Sequence, residues 1–284
     1  LRKPIFISLF ILLIGFVNSA LQAQSEWKIL AKGDDSDIDG LVTVSPQKRF
    51  SIRSGTYILS SGDGEFVELT TGFEGSLDDV KQSYVRSAYL NTWLESFLNP
   101  YAGKTRGMAH YQKADSMLQI LEPEQYMELP LASSSYVFQK ELPIIWSAGS
   151  KLDAWELSFK NHFDEVVESK RLDEFTYTLK LEAEPIVLYV KNLNSGIGSG
   201  NFVFIPLDNQ KRIDLTSQIE KDLGFVKAQS VLEILALSAY FEQKGFYTDA
   251  LGLLVGLHIQ YPQWTFSEQL IRNICFRHLF VSPF

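Results

Sequence analysis

The chain has 284 residues, 45% of them hydrophobic, with 26 basic residues against 34 acidic ones and a formal net charge of −8. That acidic balance, with no basic cluster, excludes a phosphate-backbone binder, and the single Cys275 excludes an internal disulfide. Hydrophobic content on this scale supports more than one core, so length suggests two domains and the pattern below suggests three.

Residues 1–23 read as a secretory leader. Arg2 and Lys3 precede an apolar run of 13 residues, Ile5 to Val17, and small residues follow at Ser19, Ala20 and Ala23. A bilayer-spanning helix needs roughly 20 apolar residues, so a cleaved signal peptide is expected in preference to a retained anchor. Removing Arg2 and Lys3 leaves 24 basic residues against 34 acidic, a net charge of −10. Cys275 sits in an apolar helical pattern and is expected as a buried thiol. With no disulfide and no N-x-Ser/Thr site, the expected location is periplasmic or envelope-associated, in a bacterium.

Residues 24–99 open with short strands, each bounded by Gly, Asp or Ser: Trp27–Ala31, Leu41–Val44, Phe50–Ile52, Tyr57–Leu59 and Phe66–Leu69. Ser61-Gly62-Asp63-Gly64 reads as a hairpin turn. From about Leu77 an apolar stripe through Val80, Tyr84, Ala88, Trp93 and Leu98 predicts one long helix, stopped by Asn99-Pro100. Phe50-x-Ile52, Ser54-Gly55, Tyr57-Ile58-Leu59, Asp63-Gly64 and Phe66-Val67-Glu68-Leu69 resemble the FecR-type β-domain of bacterial envelope proteins. Gly72–Val80 is similar to the segment that follows in the version common in Bacteroidetes. Regulators of that family bind a sigma factor through a cytoplasmic helical segment. Only a few residues precede the apolar leader here, so that activity is not expected. Residues 100–129 are mixed in charge and low in apolar content, which marks a linker.

Residues 130–208 carry six or seven strand signals, with turns recurring every 8 to 12 residues. Trp155, Leu157 and Phe159 alternate with polar neighbours, the period of a half-buried strand. Leu142-Pro143-x-Ile145-Trp146 followed by Trp155-x-Leu157-x-Phe159 resembles a fibronectin type III-like, immunoglobulin-like sandwich. The resemblance gives the core aromatic roles to Trp146 and Trp155, with Tyr189 on a late strand, and implies a spacer or docking module.

Residues 209–284 read as helical. Two helices flank Gly245, Thr248 offers an N-cap oxygen to the second, and Pro262 closes it. Leu237, Ser238, Phe241, Gly245, Tyr247, Ala250, Leu254, Leu257 and Pro262 are similar to one tetratricopeptide repeat running from Val231 to about Trp264. Thr265 and Glu268 suggest a capping box for a further helix. Solenoids of this kind need three or more repeats, so the lone hairpin must bury its apolar face on the sandwich, on a second copy or on a partner.

Signals for chemistry are weak. Asp35-x-Asp37-x-Asp39-Gly40 copies half of a calcium loop, but its twelfth position is Pro46 where a bidentate glutamate is required. Gly196-x-Gly198-x-Gly200 leads into a strand, whereas a phosphate-binding turn leads into a helix. His110, His162, His258 and His278 are scattered, and G-x-S-x-G is absent. No catalytic residue, cofactor or metal is expected. The fold class expected is multi-domain α+β: a small β-rich domain, an Ig-like sandwich, and a tetratricopeptide-like hairpin plus one helix. The function expected is a non-enzymatic exported scaffold that holds a protein partner, or itself, through the helical repeat, with Trp264, Tyr247 and Phe246 as contact residues. Nucleic acid is not an expected partner, and the membrane is one only through an uncleaved leader. The alternative is a carbohydrate- or cell-wall-binding sandwich. Tyr57, Phe66, Trp93, Trp146, Trp155 and Trp264 are its candidate platform, although their spacing favours core packing.

Overall fold

A computed structural model describes residues 26–31, 35–36, 43–61, 63–83, 85–98, 131, 134–146, 154–161, 163–262 and 265–278. The leader, the 100–129 linker, Trp264 and most of the acidic loop at 37–40 lie outside the described residues. The protein is mixed α and β, with several antiparallel sheets, and it divides into two compact units, residues 1–87 and 88–284.

Among the described residues the first unit has eight short strands: β1 (Trp27–Ala31), β2 (Asp35–Ser36), β3 (Thr43–Val44), β4 (Phe50–Ser54), β5 (Thr56–Ser60), β6 (Glu65–Thr70), β7 (Glu74–Gly75) and β8 (Val85–Arg86). They form a five-stranded sheet in the order β3-β1-β5-β6-β8 and a three-stranded sheet in the order β2-β4-β7. Alternation decides which side chains go inside. Phe50 and Ile52 from β4, Tyr57 and Leu59 from β5, and Val67 and Leu69 from β6 share one core with Trp27, Val44 and Leu77. The expected turn joins β5 to β6, where the Ser61 amide donates to the Glu65 carbonyl and the Ser61 hydroxyl accepts from the Asp63 and Glu65 amides.

The single helix expected from Leu77 is two elements. Leu77–Ser83 is a 3-10 helix, opened by Asp79, whose carboxylate accepts from both the Ser76 amide and hydroxyl. Strand β8 intervenes before helix α1 (Ala88–Leu98) begins. The apolar stripe misled because an i, i+3 spacing fits both helix types. Helix α1 falls in the second unit and packs on a helix more than 130 residues further along the chain.

Among the described residues the second unit has seven strands: β9 (Ser134–Val137), β10 (Glu141–Ile145), β11 (Trp155–Lys160), β12 (Val166–Leu172), β13 (Thr176–Lys180), β14 (Ile186–Asn192) and β15 (Phe202–Pro206). One sheet runs β12-β11-β14-β15-β9, and β10 pairs with β13 as a second. Every pairing is antiparallel except β15 with β9. The two sheets enclose one core, to which Trp155, Leu157, Phe159, Leu188, Val190 and Phe204 contribute from one side and Leu142, Ile144 and Leu179 from the other. Trp146 and Trp155 are buried there in edge-to-face contact at 5.9 Å, while Tyr189 is half-buried. The 193–201 segment is a β14–β15 connection, as its strand-to-strand context predicts. Tyr57, Phe66, Trp93, Trp146 and Trp155 are all buried, which removes them from any exposed sugar platform.

Four helices follow: α2 (Asn209–Leu223), α3 (Val231–Gln243), α4 (Tyr247–Gln260) and α5 (Thr265–His278). Helix α2 lies within the segment read as helical but is not expected as a helix of its own, because only Leu215 and Ile219 of its residues are buried, so its stripe is thin. Its signal is the Asp208 N-cap, whose carboxylate accepts from the Lys211 amide. Helix α3 starts with a capping box of Ser230 and Glu233. Helices α3 and α4 form the expected antiparallel pair, and α4 lies against β10 and β9. The hairpin therefore buries its face on the sheets of its own chain.

Candidate functional site

The α3–α4 turn is organised by backbone geometry. Gly245 adopts φ +85°, its amide donates to the Glu242 carbonyl, and the Phe246 amide donates to Phe241 at 2.8 Å. These are the two bonds of a Schellman motif, and a left-handed residue at that position disfavours any side chain. The hydrophobic contact that accompanies the motif is Phe246 against Phe241, with ring centroids 6.1 Å apart. Phe246 also takes the N-cap position of α4 and supplies no side-chain cap. This corrects the expectation for Thr248. Thr248 lies inside the first turn, is buried, and shares a 2.6 Å hydrogen bond with the Ser135 hydroxyl on β9.

Asp249, in the same turn, fixes the helix to the sandwich. Its carboxylate accepts from the Phe138 amide through both oxygens, at 3.1 and 3.0 Å, and from the Gln139 amide at 2.7 Å. The Gln139 side-chain amide donates back to the Asp249 carbonyl at 2.8 Å. Arg212 of α2 donates to the Phe138 carbonyl and its guanidinium lies 5.6 Å over the Phe138 ring. Burial pushes the Asp249 carboxyl up to about 7, against the pull of the Phe138 and Gln139 amides in the other direction. One turn later, a Cβ at Gly252 would collide with the buried Leu142 side chain, so glycine permits the helix to approach β10 this closely.

A second cluster ties α1, α3 and α5 together. The buried Glu242 accepts from Arg277 Nε at 3.0 Å and from the Trp93 indole, and its Oε1 lies 2.7 Å from His278 Nε2. Burial opposes ionisation of Glu242, but His278, Arg277 and Trp93 outweigh it and hold the carboxyl below its ordinary value. Cys275 is buried on α5, and burial pushes its thiol up to about 12.

Between these two clusters lies a recess of about 600 Å³. The start of β9 (Ser134, Ser135, Tyr136) forms one wall and the α3–α4 turn (Lys244 to Thr248) forms the other, with Leu207, Lys211 and His278 completing it. Tyr136 is 59% exposed, a large ring presented to solvent. Tyr247 stacks on the His278 imidazole at 3.8 Å, and His278 is in turn held by Glu242, so the Tyr247 ring is fixed from below. Lys244 lies 5.2 Å over the Tyr240 ring.

Two of the three contact residues expected from sequence, Phe246 and Tyr247, thus line one recess; Trp264 lies outside the described residues. Tyr136, Lys211 and His278 were missed, because they come together only when the sandwich edge and helices α2 and α5 converge. Among the described residues no group of three His, Cys, Asp or Glu side chains is placed to hold a metal ion, and no helix is long and apolar enough to cross a membrane. No family model matches the chain. No curated protein matches it either.

Proposed function

We propose that this chain is a non-enzymatic, exported interaction protein of the bacterial cell envelope, and that it holds a protein partner at the recess between β9 and the α3–α4 turn. The observation that carries the reading is the set of aromatic side chains there. Tyr136 is exposed, Tyr247 is locked on His278, and Phe246 is pinned by the Schellman contact. Rigid aromatic groups are the residues that anchor interfaces, since little side-chain entropy is lost when they are covered. The hydroxyls of Ser135 and Thr248 are bonded to each other, and the near imidazole nitrogen of His278 faces Glu242, which favours binding over bond-making in this recess.

In this reading the first unit is a FecR-like β-domain, the two sheets of 134–206 are an Ig-like or fibronectin III-like sandwich, and α3–α4 is a tetratricopeptide-like hairpin docked on it. The leader at 1–23 delivers the chain to the periplasm. Deleting the helices would uncover Leu142 and the 138–139 amides, so point changes at the recess are the cleaner test. Affinity capture from envelope extract should recover a partner with the unaltered chain and lose it with Tyr136→Ser plus Tyr247→Ser. Equal recovery with that variant overturns the assignment of the recess. Retention on peptidoglycan or glycan alone, indifferent to the variant, would replace it with a carbohydrate-binding sandwich.

A further inference from the structure

The recess beside β9 carries charge of one sign. Among the described residues that line it, Lys211, Lys244 and His278 are basic and no side chain is acidic. The chain as a whole has 34 acidic residues against 26 basic ones, so this lining runs against the balance of the molecule. His278 is already engaged, with Nε2 2.7 Å from Glu242 and its ring stacked on Tyr247.

The two lysines differ from it. Both are exposed, and they stand on separate elements, Lys211 in the first turn of α2 and Lys244 at the C-terminal cap of α3. Lys211 Nζ lies 3.2 Å from Asp208, but these side chains are 67% and 56% exposed, and water screens a pair of that kind. Lys244 Nζ lies 5.2 Å over the Tyr240 ring and 6.0 Å from the Tyr89 ring, which steadies the ammonium without supplying an acceptor for its N–H groups. Much of the remaining lining is apolar or aromatic, from Tyr136, Leu207, Phe246 and Tyr247. The volume of about 600 Å³ falls in the range of roughly 300–1,000 Å³ over which sites enclose a small ligand. A few residues of extended chain fit such a space, whereas a folded surface does not enter it.

We propose, on the reading of this recess as a protein-binding site, that its occupant is an acidic peptide segment of the partner, with Asp or Glu side chains flanking an apolar or aromatic residue. The carboxylates accept from Lys211 and Lys244, and the apolar residue covers the Tyr136 and Phe246 rings. An ammonium donates and never accepts, so a basic segment meets only repulsion here. Two cations on separate elements call for two carboxylates, and a lone chain terminus carries one. They are too few for an anionic lipid surface, which is held by clusters of roughly 4–8 basic residues. The acidic balance of the rest of the chain repels the same segment, which confines it to the recess.

The test is selection of a phage-displayed random heptapeptide library on the purified protein, each peptide being fused through its C-terminus so that no terminal carboxylate is present. Enrichment of Asp and Glu beside Phe, Leu or Trp is expected, with Lys and Arg depleted. A consensus peptide with blocked ends, titrated by fluorescence anisotropy, should bind about tenfold or more weakly to Lys211→Glu plus Lys244→Glu. Lys211→Arg plus Lys244→Arg should retain it. Both lysines are exposed, so the variants fold, and equal melting temperatures check this. No enrichment, enrichment without acidic residues, or a consensus peptide indifferent to charge reversal overturns the proposal. Binding only from a library with free C-termini overturns it in favour of a terminal carboxylate. Non-acidic peptides that are lost with Tyr136→Ser plus Tyr247→Ser would keep the recess as the site and remove its charge selection. Acidic peptides indifferent to that tyrosine variant would overturn both.

Discussion

The two edges of the five-stranded sheet in the second unit are treated in opposite ways. At β9 the adjoining Phe138 and Gln139 amides are taken by Asp249, Ser135 by Thr248, and helix α4 lies along the edge. At β12 the outer edge carries Glu168, Lys170 and Arg171 with no described element beside it. A covered edge must satisfy each buried amide from within, and a bare one leaves them to water or to another chain. The comparison teaches where stability resides: substitutions at β9 should act on folding, and substitutions at β12 should leave it nearly unchanged.

The sharpest way to break the comparison is Asp249→Ala. It orphans two amides in a site that water does not reach, a loss of about 3 kcal/mol in unfolding free energy. Denaturant titration should show the transition of the second unit moving to lower midpoint, whereas Glu168→Lys at the bare edge should shift it by no more than about 0.5 kcal/mol.

Next comes pH. The Asp249 carboxyl has an ordinary value of 3.8 and is raised to about 7 in the fold, so between these limits the native state holds a proton that the unfolded chain releases. Its contribution to stability is full below 3.8, falls as pH rises, and is gone above about 7. Thermal unfolding across that window should show declining stability in the parent and a flatter profile in Asp249→Asn. The depressed Glu242 carboxyl acts in the other direction, being lost only in acid as pH falls below its ordinary value of 4.5.

Smallest is a pair of glycines on α4. Gly252→Ala forces a methyl group into Leu142, and overpacking should cost about 1–2 kcal/mol even after the gain in helix propensity. At Gly256 the same methyl would sit 3.5 Å from Pro143 Cγ, an ordinary contact, so Gly256→Ala should stabilise by about 0.5 kcal/mol. Opposite signs from one chemical change, read in the same melting experiment, would locate the close approach to a single turn.

The sequence made some of this legible and hid the rest for physical reasons. Period-two alternation in Phe50-x-Ile52 and Trp155-x-Leu157-x-Phe159 announced half-buried strands, and Gly245 announced the helical turn, because both signals are local. The helix expected from Leu77 failed where Asp79 closes a 3-10 turn on Ser76, a choice that apolar spacing does not encode. Thr248 looked like an N-cap because its hydroxyl precedes an apolar run, yet its partner is Ser135 on a strand. Asp249 carried no signal at all. Its acceptors matter only because Phe138 and Gln139 arrive from 111 and 110 residues away. Tyr136 escaped notice as a recess residue for the same reason.

The parallel pairing of β9 with β15 has a temporal consequence. Ser134 must wait for Val203 before it has a strand neighbour, and Phe138 must wait for Asp249 before its amide is sheltered. A chain delivered from its N-terminus thus holds β9 without its Asp249 partner until helix α4 has appeared, and non-local closures of this length are the slow steps of folding. Helix α4 with its Asp249 acts as the latch on a structure begun more than a hundred residues earlier, and a chain cut short of it would meet proteases with that latch open.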